Sequence, residues 1–206
     1  LDNAATSFPK PEGVYRALDR YARTALANPG RGGHAMAREA ADTLADARHR
    51  LNRFFNGKGV ERVVFALNCT DALNLAIKGT LNPGDHVVTT DLEHNSVSRP
   101  LVGLAEAGVI TLTRVVADRG GTVDPDDIRK AITPKTKLVA VTHASNVLGT
   151  VQPVAEIGRV CRQASDGVLF LVDAAQTAGV VPIDVQAMHV DLLAFPGSVD
   201  QIGALL

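Results

Sequence analysis

The sequence predicts an α/β protein with a mainly parallel sheet covered by helices. Short runs of β-branched residues alternate with amphipathic stretches, the pattern of parallel strands joined by crossover helices. Several of the runs are apolar at successive residues, as a sheet covered on both faces requires. With 46% hydrophobic and 21% charged residues among 206, the chain can also bury a sizeable core.

The strands and helices are expected to alternate after residue 57. We expect helices at 11–26, 35–55, 71–79, 96–107, 125–131 and 153–163, and strands at 63–67, 86–90, 110–116, 137–142, 169–173 and 191–195. The Asn-Pro-Gly-Asp and Asp-Arg-Gly-Gly sequences at 82–85 and 118–121 predict turns, because Pro fixes φ and Gly supplies positive φ. The sequence thus predicts a helical arm, residues 1–56, and an α/β domain, residues 57–206.

Composition narrows the classes of function. The formal net charge is -1 and no basic block is present, so neither nucleic acid nor an anionic membrane is the expected partner. No apolar run approaches the roughly 20 residues of a membrane span. Cys69 and Cys161 cannot form a disulfide framework, and no Cys/His cluster has zinc-ligand spacing. These features favour a cytoplasmic protein that acts on small molecules.

The two ends of the sequence predict an incomplete protein. The chain begins at Leu1 without a Met and stops at Leu206 within an apolar run.

Polar residues follow several of the predicted strands, where ligands of parallel sheets bind. After the first strand, Cys69 and Thr70 open a helix, whose start can be a simple cap or a phosphate site. No Gly-rich dinucleotide or nucleotide-triphosphate motif follows any strand. After the second strand comes His94, read either as a surface residue or as a site residue. After the fourth comes 143–150, read either as a hydrogen-bonded turn or as a site.

The fifth strand carries the strongest local signal. Asp173 follows four apolar residues, and its carboxylate is costly to bury unless it meets a cation, a metal or several donors. A capping role is the alternative. Ala174 and Ala175 leave room for a flat group. Together these junctions fit a planar heteroaromatic cofactor with a phosphate tail and a protonated ring nitrogen, which describes pyridoxal phosphate.

The chain resembles the cysteine desulfurase family, in the class V branch of fold type I pyridoxal-phosphate enzymes. The resemblance covers nearly the whole chain, and its motifs are LDNAATS at 1–7, NPGRGGH at 28–34, EHNS at 93–96, ASNVLGT at 144–150, VDAAQ at 172–176 and DLLAFPG at 191–197. It implies the large domain of that fold, lacking its C-terminal small domain, in a protein that works as a homodimer.

The resemblance also implies roles for individual residues. Asp173 is similar to the carboxylate that pairs with the pyridinium nitrogen, and Gln176 to the donor to the phenolic oxygen. His94 is similar to the imidazole that stacks on the ring and moves protons. Asn146 resembles the residue between the phenolic oxygen and the substrate carboxylate.

The residues expected to contact the phosphate and to carry the cofactor match the family less closely. Cys69 and Thr70 resemble the phosphate loop, although Cys stands where Ala or Thr is more usual. The family continues after 191–197 with His-Lys, the His reaching the phosphate and the Lys carrying the cofactor as a Schiff base. Here Ser198 and Val199 stand at those places, and valine cannot form an imine. A frameshift or internal deletion, a missing loop and a modified lysine remain open as causes.

The family takes sulfur from L-cysteine. A cysteine thiolate of the enzyme attacks the substrate Sγ, which leaves a persulfide and alanine, and an acceptor protein can then take the sulfur. Neither Cys69 nor Cys161 corresponds to that nucleophile, and Cys161 is read as a core residue. The alternatives are a non-catalytic remnant or scaffold and another class V activity, namely an aminotransferase, a selenocysteine lyase or an epimerase.

Overall fold

The structure is a computed structural model that describes Ala4 and residues 8–197 and 203–206. Its helices are α1 (Glu12–Thr24), α2 (Ala35–Phe54), α3 (Cys69–Thr80), α4 (Asn95–Glu106), α5 (Pro125–Ala131) and α6 (Val154–Ala164). Its strands are β1 (Val64–Ala66), β2 (His86–Thr90), β3 (Thr111–Val115), β4 (Thr136–Thr142), β5 (Leu169–Asp173), β6 (Leu192–Pro196) and β7 (Gly203–Leu205).

The predicted α/β architecture is confirmed, and each predicted helix and strand is present within two residues of its expected ends. A 3-10 turn at Val60–Arg62 was not expected. The start of α3 moves from residue 71 to Cys69 because the side chain of Asn68 accepts the backbone N–H of Asp71 at 2.8 Å and caps the helix.

The seven strands form one sheet in the order β1-β7-β6-β5-β4-β2-β3. β2, β3, β4, β5 and β6 are parallel, whereas β7 is antiparallel to both β1 and β6. Two reversals cancel, so β1 points the same way as the parallel strands. The carboxyl ends of β1, β2, β4, β5 and β6 therefore meet at one edge of the sheet.

Helices cover both faces of the sheet. Successive strand residues point to opposite faces, and Val87 belongs to the core under α3 and α4 while Val88 belongs to the core under α5 and α6. This pleat explains why the predicted strands are apolar at consecutive residues. Each fully buried Val, Leu or Ile side chain stabilises the fold by ~1.5–3 kcal/mol relative to an exposed one.

The N-terminal helices are attached mainly at the end of α2. α1 buries no residue against the described chain, and α2 buries only Ala37 and Ala40. Phe55, directly after α2, packs its ring on Phe195 of β6 with centroids 4.6 Å apart. Within the described residues, no helix combines the length and the hydropathy needed to span a bilayer.

Candidate functional site

A cavity of about 430 Å³ opens at the carboxyl edge of the sheet. Its size falls within the ~300–1,000 Å³ typical of small-molecule sites. The site residues expected from the sequence that line this cavity are Cys69, Thr70, His94, Asn146, Asp173 and Gln176. Ser198 and Val199 lie outside the described residues. The structure thus brings together residues that follow four different strands. The two farthest apart in the sequence, Cys69 and Gln176, are separated by 107 positions.

Asp173 ends β5 and is 3% exposed. Its Oδ1 accepts the backbone N–H of Ala175 at 2.9 Å, and the Sγ of Cys69 lies 4.0 Å from the same oxygen. Oδ2 accepts no hydrogen bond from the described residues, although the side chain lines the cavity. Burial raises the pKa of this carboxyl group, while the Ala175 N–H and the electrostatic effect of the nearby His94 imidazole lower it. Such a carboxyl group favours a cationic partner in the cavity.

The lining of the cavity supplies no lysine or arginine among the described residues. Its donors are instead hydroxyl and backbone groups. α3 begins at the cavity with Cys69 and Thr70, and the first N–H groups of a helix have no partner within the helix. The partial positive charge of this helix end favours an anion such as a phosphate.

A hydrogen-bonded chain of side chains joins two strand ends beside this helix. The Oγ1 of Thr70 lies 2.7 Å from the Oγ of Ser96, which lies 2.9 Å from the Nδ1 of His94. The Nδ1 of His94 also accepts the backbone N–H of Ser96 at 3.2 Å, and His94 is the N-cap of α4. Because Nδ1 acts as an acceptor, the hydrogen-bond network assigns the ring proton to Nε2.

Two amide side chains lie on other sides of the cavity. Gln176 is half-buried and donates from Nε2 to the backbone oxygen of Ala4 at 3.1 Å. Asn146 is exposed in a turn that begins at Ser145, whose Oγ accepts the N–H groups of Val147 and Leu148. The hydroxyl of Ser145 therefore fixes the turn that places Asn146 in the lining of the cavity.

Sequence reasoning missed Glu93, which lies one residue before His94. Burial raises its pKa to about 8, and the nearby charges of Asp173 and Asp91 act in the same direction. The hydrogen bonds from Thr90 and Thr142 lower it. Its sequence signals were its place in the polar junction after the second strand and its membership of the EHNS motif at 93–96, neither of which indicates a role.

In the sequence, His143 is only one residue of the polar turn 143–150. In the structure it contacts the segment 173–177, which carries the expected site residues Asp173 and Gln176. Its backbone N–H donates to the carbonyl of Asp173 at 2.8 Å, and its Nδ1 lies 2.9 Å from the Oγ1 of Thr177. The side chain is 3% exposed, and burial lowers its pKa below 6.5. His143 is thus held as a neutral ring that ties the end of β4 to the segment after β5.

The stability of the fold is expected to depend on pH through His143. The unfolded ring titrates near its ordinary pKa of 6.5, and the folded ring titrates lower. At pH values between these two pKa values, the unfolded chain binds more protons than the folded chain. The free energy of unfolding therefore rises with pH over this range, and it decreases as the pH falls toward the pKa of the folded ring. We expect His143→Asn to reduce this slope, measured by urea unfolding between about pH 5.5 and about pH 7.5.

Glu93 acts in the opposite direction, since its raised pKa favours the fold at lower pH. The test is therefore the difference in slope between variants. His49→Asn, at an exposed position of α2, is the control and should leave the slope unchanged. An equal slope for His143→Asn and the unmodified chain would contradict the prediction.

The two cysteines are both unpaired, and neither is poised to be a nucleophile. Cys161 is fully buried in the core under α5 and α6, as its place on an amphipathic helix predicted, and burial raises its pKa to about 12. Burial and the charge of Asp173 raise the pKa of the Cys69 thiol even further. Reactive cysteines need the thiolate form, which these raised pKa values disfavour at neutral pH.

The described residues contain no group of three or more His, Cys, Asp or Glu side chains that could hold a metal ion. The described polar groups of the cavity include one buried carboxyl group, one imidazole, two amides and a helix start.

Comparisons with known proteins match nearly the whole chain. A model of the family described as "Aminotransferase class-V" matches residues 1–198. A "Probable cysteine desulfurase" from Methanothermobacter thermautotrophicus is 42% identical over 202 residues, which are 98% of this chain and 50% of that protein. The chain spans about half the length of the curated relatives that it matches.

Two solved structures share the fold. The apo structure of a cysteine desulfurase from Thermococcus onnurineus NA1 has a TM-score of 0.89 and 36% identity, over 99% of this chain and 52% of that one. The structure titled "SspA in complex with cysteine" has a TM-score of 0.90 and 30% identity, over 99% of this chain and 59% of that one.

Proposed function

The chain belongs to the class-V aminotransferase family, and on that premise we propose that it is the pyridoxal-phosphate-binding large domain of a cysteine desulfurase. The observation that carries the proposal is the carboxyl group of Asp173, which is buried at a strand end, lines the cavity and accepts no hydrogen bond at Oδ2 from the described residues. A protonated pyridine nitrogen is a cation that would satisfy this oxygen, and the small side chains of Ala174 and Ala175 leave space for the ring.

The other donors of the cavity suit the remaining groups of the cofactor. The N–H groups at the start of α3 and the hydroxyl of Thr70 would hold the phosphate. Gln176 would donate to the phenolic oxygen, and Asn146 would lie between that oxygen and the substrate carboxylate. Ser198 would assist at the phosphate from outside the described residues. The donor set therefore fits pyridoxal phosphate, with no cationic side chain in the described lining.

When bound, the cofactor supplies an electron sink that stabilises negative charge on the α-carbon of an amino acid. Asp173 keeps the ring nitrogen protonated, which the sink requires. His94 covers the cavity from the start of α4 and carries a proton at Nε2 that it can exchange with substrate. The Ser96 contacts hold the imidazole in that tautomer.

We propose L-cysteine as the substrate and sulfur transfer as the reaction, with alanine as the second product. The names of the relatives and the cysteine complex of one solved structure support this choice. The raised pKa values of Cys69 and Cys161 imply that the sulfur-accepting thiolate belongs to another part of the protein. The persulfide would then pass to an acceptor protein.

A second candidate is a non-catalytic remnant that binds the cofactor or serves as a scaffold. Val199 favours it, because this position should carry the cofactor-binding lysine. Such a protein would bind pyridoxal phosphate and release no alanine from cysteine. Selenocysteine lyase, aminotransferase and epimerase activities would use the same described residues.

The organisation of the protein is also part of the proposal. Residues 1–56 would form an arm on the α/β domain of residues 57–206. The lack of buried residues in α1 supports a second copy of the chain as partner, in a homodimer. Two unpaired cysteines support a reducing compartment, which we take to be the cytoplasm.

The test of the function is alanine release from L-cysteine by the full chain supplied with pyridoxal phosphate and with a small-molecule thiol, whose thiolate takes the Sγ sulfur as a persulfide, compared with His94→Ala. Loss of the imidazole should lower alanine release about 100-fold or more, since it removes a proton-transfer group. The cofactor Kd should rise less than about tenfold, since only a stacking contact is lost. Absorbance titration measures the Kd, and amino-acid analysis measures the alanine.

His49→Ala removes an exposed imidazole of α2 and is the matched control, with both values expected to be unchanged. Failure of the unmodified chain to bind pyridoxal phosphate would overturn the proposed function. Binding without alanine release above that of free cofactor would favour the remnant. Equal alanine release by His94→Ala and the unmodified chain would remove His94 from the chemistry.

A further inference from the structure

Glu93 lies beside two neighbouring parallel strands, β2 and β4, whose outgoing connections lead to opposite sides of the sheet. β2 and β4 are neighbours, but the connection from β2 leads outward to β3 and the connection from β4 leads to β5 on the other side. Loops diverge at such a point and leave a crevice, which is where ligands of α/β sheets bind. Glu93 lies three residues after the end of β2, directly before His94.

The carboxyl group of Glu93 joins the two diverging strand ends. The last paired residues of β2 and β4 are Thr89 and Ala140. Beyond them, Oε1 of Glu93 accepts the backbone N–H of Thr142 at 2.9 Å and the hydroxyl of Thr90 at 2.7 Å. Oε1 of Glu93 thus links β2 and β4 by hydrogen bonds beyond the last backbone pair of the two strands.

We propose that Glu93 is a positioning residue for the cavity, holding the end of β4 against the turn that presents His94. The inference rests on the proposed function only for the identity of the molecule that the cavity binds, pyridoxal phosphate. Glu93 does not itself line the cavity, whereas Thr142 and His94 do. Thr142 is also paired with Asp173 in the register of β4 and β5, so the same bond supports both functional side chains.

The surroundings of Glu93 indicate that its acceptor atom matters and its charge does not. Asp173 on β5 and Asp91 in its own turn face it with negative charge. Oε2 is buried without a hydrogen-bond partner among the described residues. Burial raises the pKa to about 8, which favours the neutral acid, and Oε1 accepts both hydrogen bonds whether or not Oε2 carries the proton.

This reasoning distinguishes two substitutions at one position. Glu93→Gln keeps an oxygen acceptor in nearly the same place and carries no charge, whereas Glu93→Ala leaves the Thr142 N–H without a partner. Glu106→Gln changes an exposed carboxyl group at the other end of α4 and is the matched control.

The first measurements use the full chain without cofactor. In the unmodified chain, Glu93→Gln and Glu106→Gln, amide hydrogen exchange should show a protected Thr142 N–H. The imidazole nitrogen shifts of His94 should show the Nε2–H form. Glu93→Ala should lower the protection of Thr142 about tenfold or more and should shift the His94 signals toward a mixture of tautomers.

The second measurement is the affinity for pyridoxal phosphate. Glu93→Ala should weaken it about tenfold, and Glu93→Gln should restore it to within about threefold of the unmodified chain. Unchanged Thr142 protection and His94 signals in Glu93→Ala would overturn the inference. Losses of Thr142 protection and of cofactor affinity of about tenfold in Glu93→Gln, relative to the unmodified chain, would also overturn it, and this test holds even if Glu93→Ala fails to fold.

The two proposals fail separately. If the unmodified chain does not bind the cofactor, the proposed function fails, and the exchange and imidazole measurements still decide the role of Glu93.

Discussion

Asp173→Ala is expected to lower the affinity of the chain for pyridoxal phosphate about 10- to 100-fold. The substitution removes a charge-assisted hydrogen bond to the ring nitrogen, which contributes ~1.5–3 kcal/mol. Asp173→Asn should have a similar effect, because an amide keeps the shape of the side chain and loses the charge. Absorbance titration with the cofactor measures both variants.

The same substitutions should leave the free energy of unfolding unchanged or raise it. Burial raises the pKa of Asp173, so at neutral pH its charge favours the unfolded chain, where the group ionises more easily. A site residue that costs stability is expected where a ligand supplies the missing partner. Urea unfolding without cofactor tests this part.

Asp46→Ala is the control, because Asp46 forms an exposed ion pair with Arg50 on α2. It should change neither affinity nor stability appreciably. A cofactor affinity of Asp173→Asn equal to that of the unmodified chain would show that the carboxylate does not meet the ring nitrogen. The central observation of the proposed function would then have another explanation.

The second large effect concerns the bond between protein and cofactor. The chain loaded with pyridoxal phosphate should lose it completely on dialysis, and borohydride reduction should leave the intact mass of the denatured chain unchanged. No lysine lines the described cavity, and Val199 stands where the resemblance places the lysine. An imine needs a primary amine, so the cofactor would be held by non-covalent contacts alone.

Val199→Lys is the complementary change. It should allow the reduced cofactor to remain on the denatured chain. With an added small-molecule thiol as sulfur acceptor, it should also raise alanine release about 100-fold or more, because the amine supplies both covalent attachment and proton transfer. Lys58→Arg, away from the cavity lining, is a control for adventitious labelling. Reduced cofactor found on the unmodified chain at any lysine would contradict the prediction.

The strand ends of the site could be predicted because their signal is local. Asp173 follows an apolar run, and His94 follows another, so both could be placed at the carboxyl edge once the strands were recognised. The antiparallel placement of β7 between β1 and β6 could not be predicted, because strand order depends on contacts between distant segments. It nevertheless preserves the direction of β1, which puts Cys69 and Thr70 at the cavity.

The roles of Glu93 and His143, which do not line the cavity, could not be predicted from local sequence patterns. Glu93 is ordinary in the sequence, and only its distance to the Thr142 N–H, 49 positions away, reveals a contact. His143 likewise acquires a role only through Thr177, 34 positions away. Burial of these groups, which shifts their pKa values, depends on the packing of several elements at once.

The sequence by itself determined the α/β class, the order of helices and strands and the polar strand ends that meet at the cavity. These follow from hydrophobic period, turn residues and the polarity of strand ends, which are properties of neighbouring residues. Only the tertiary structure decided that the Oδ2 of Asp173 has no hydrogen-bond partner among the described residues, that Nδ1 of His94 is an acceptor and that Glu93 joins β2 to β4. Hydrogen-bond partners and desolvation are set by groups brought together from distant parts of the chain, so no local pattern encodes them.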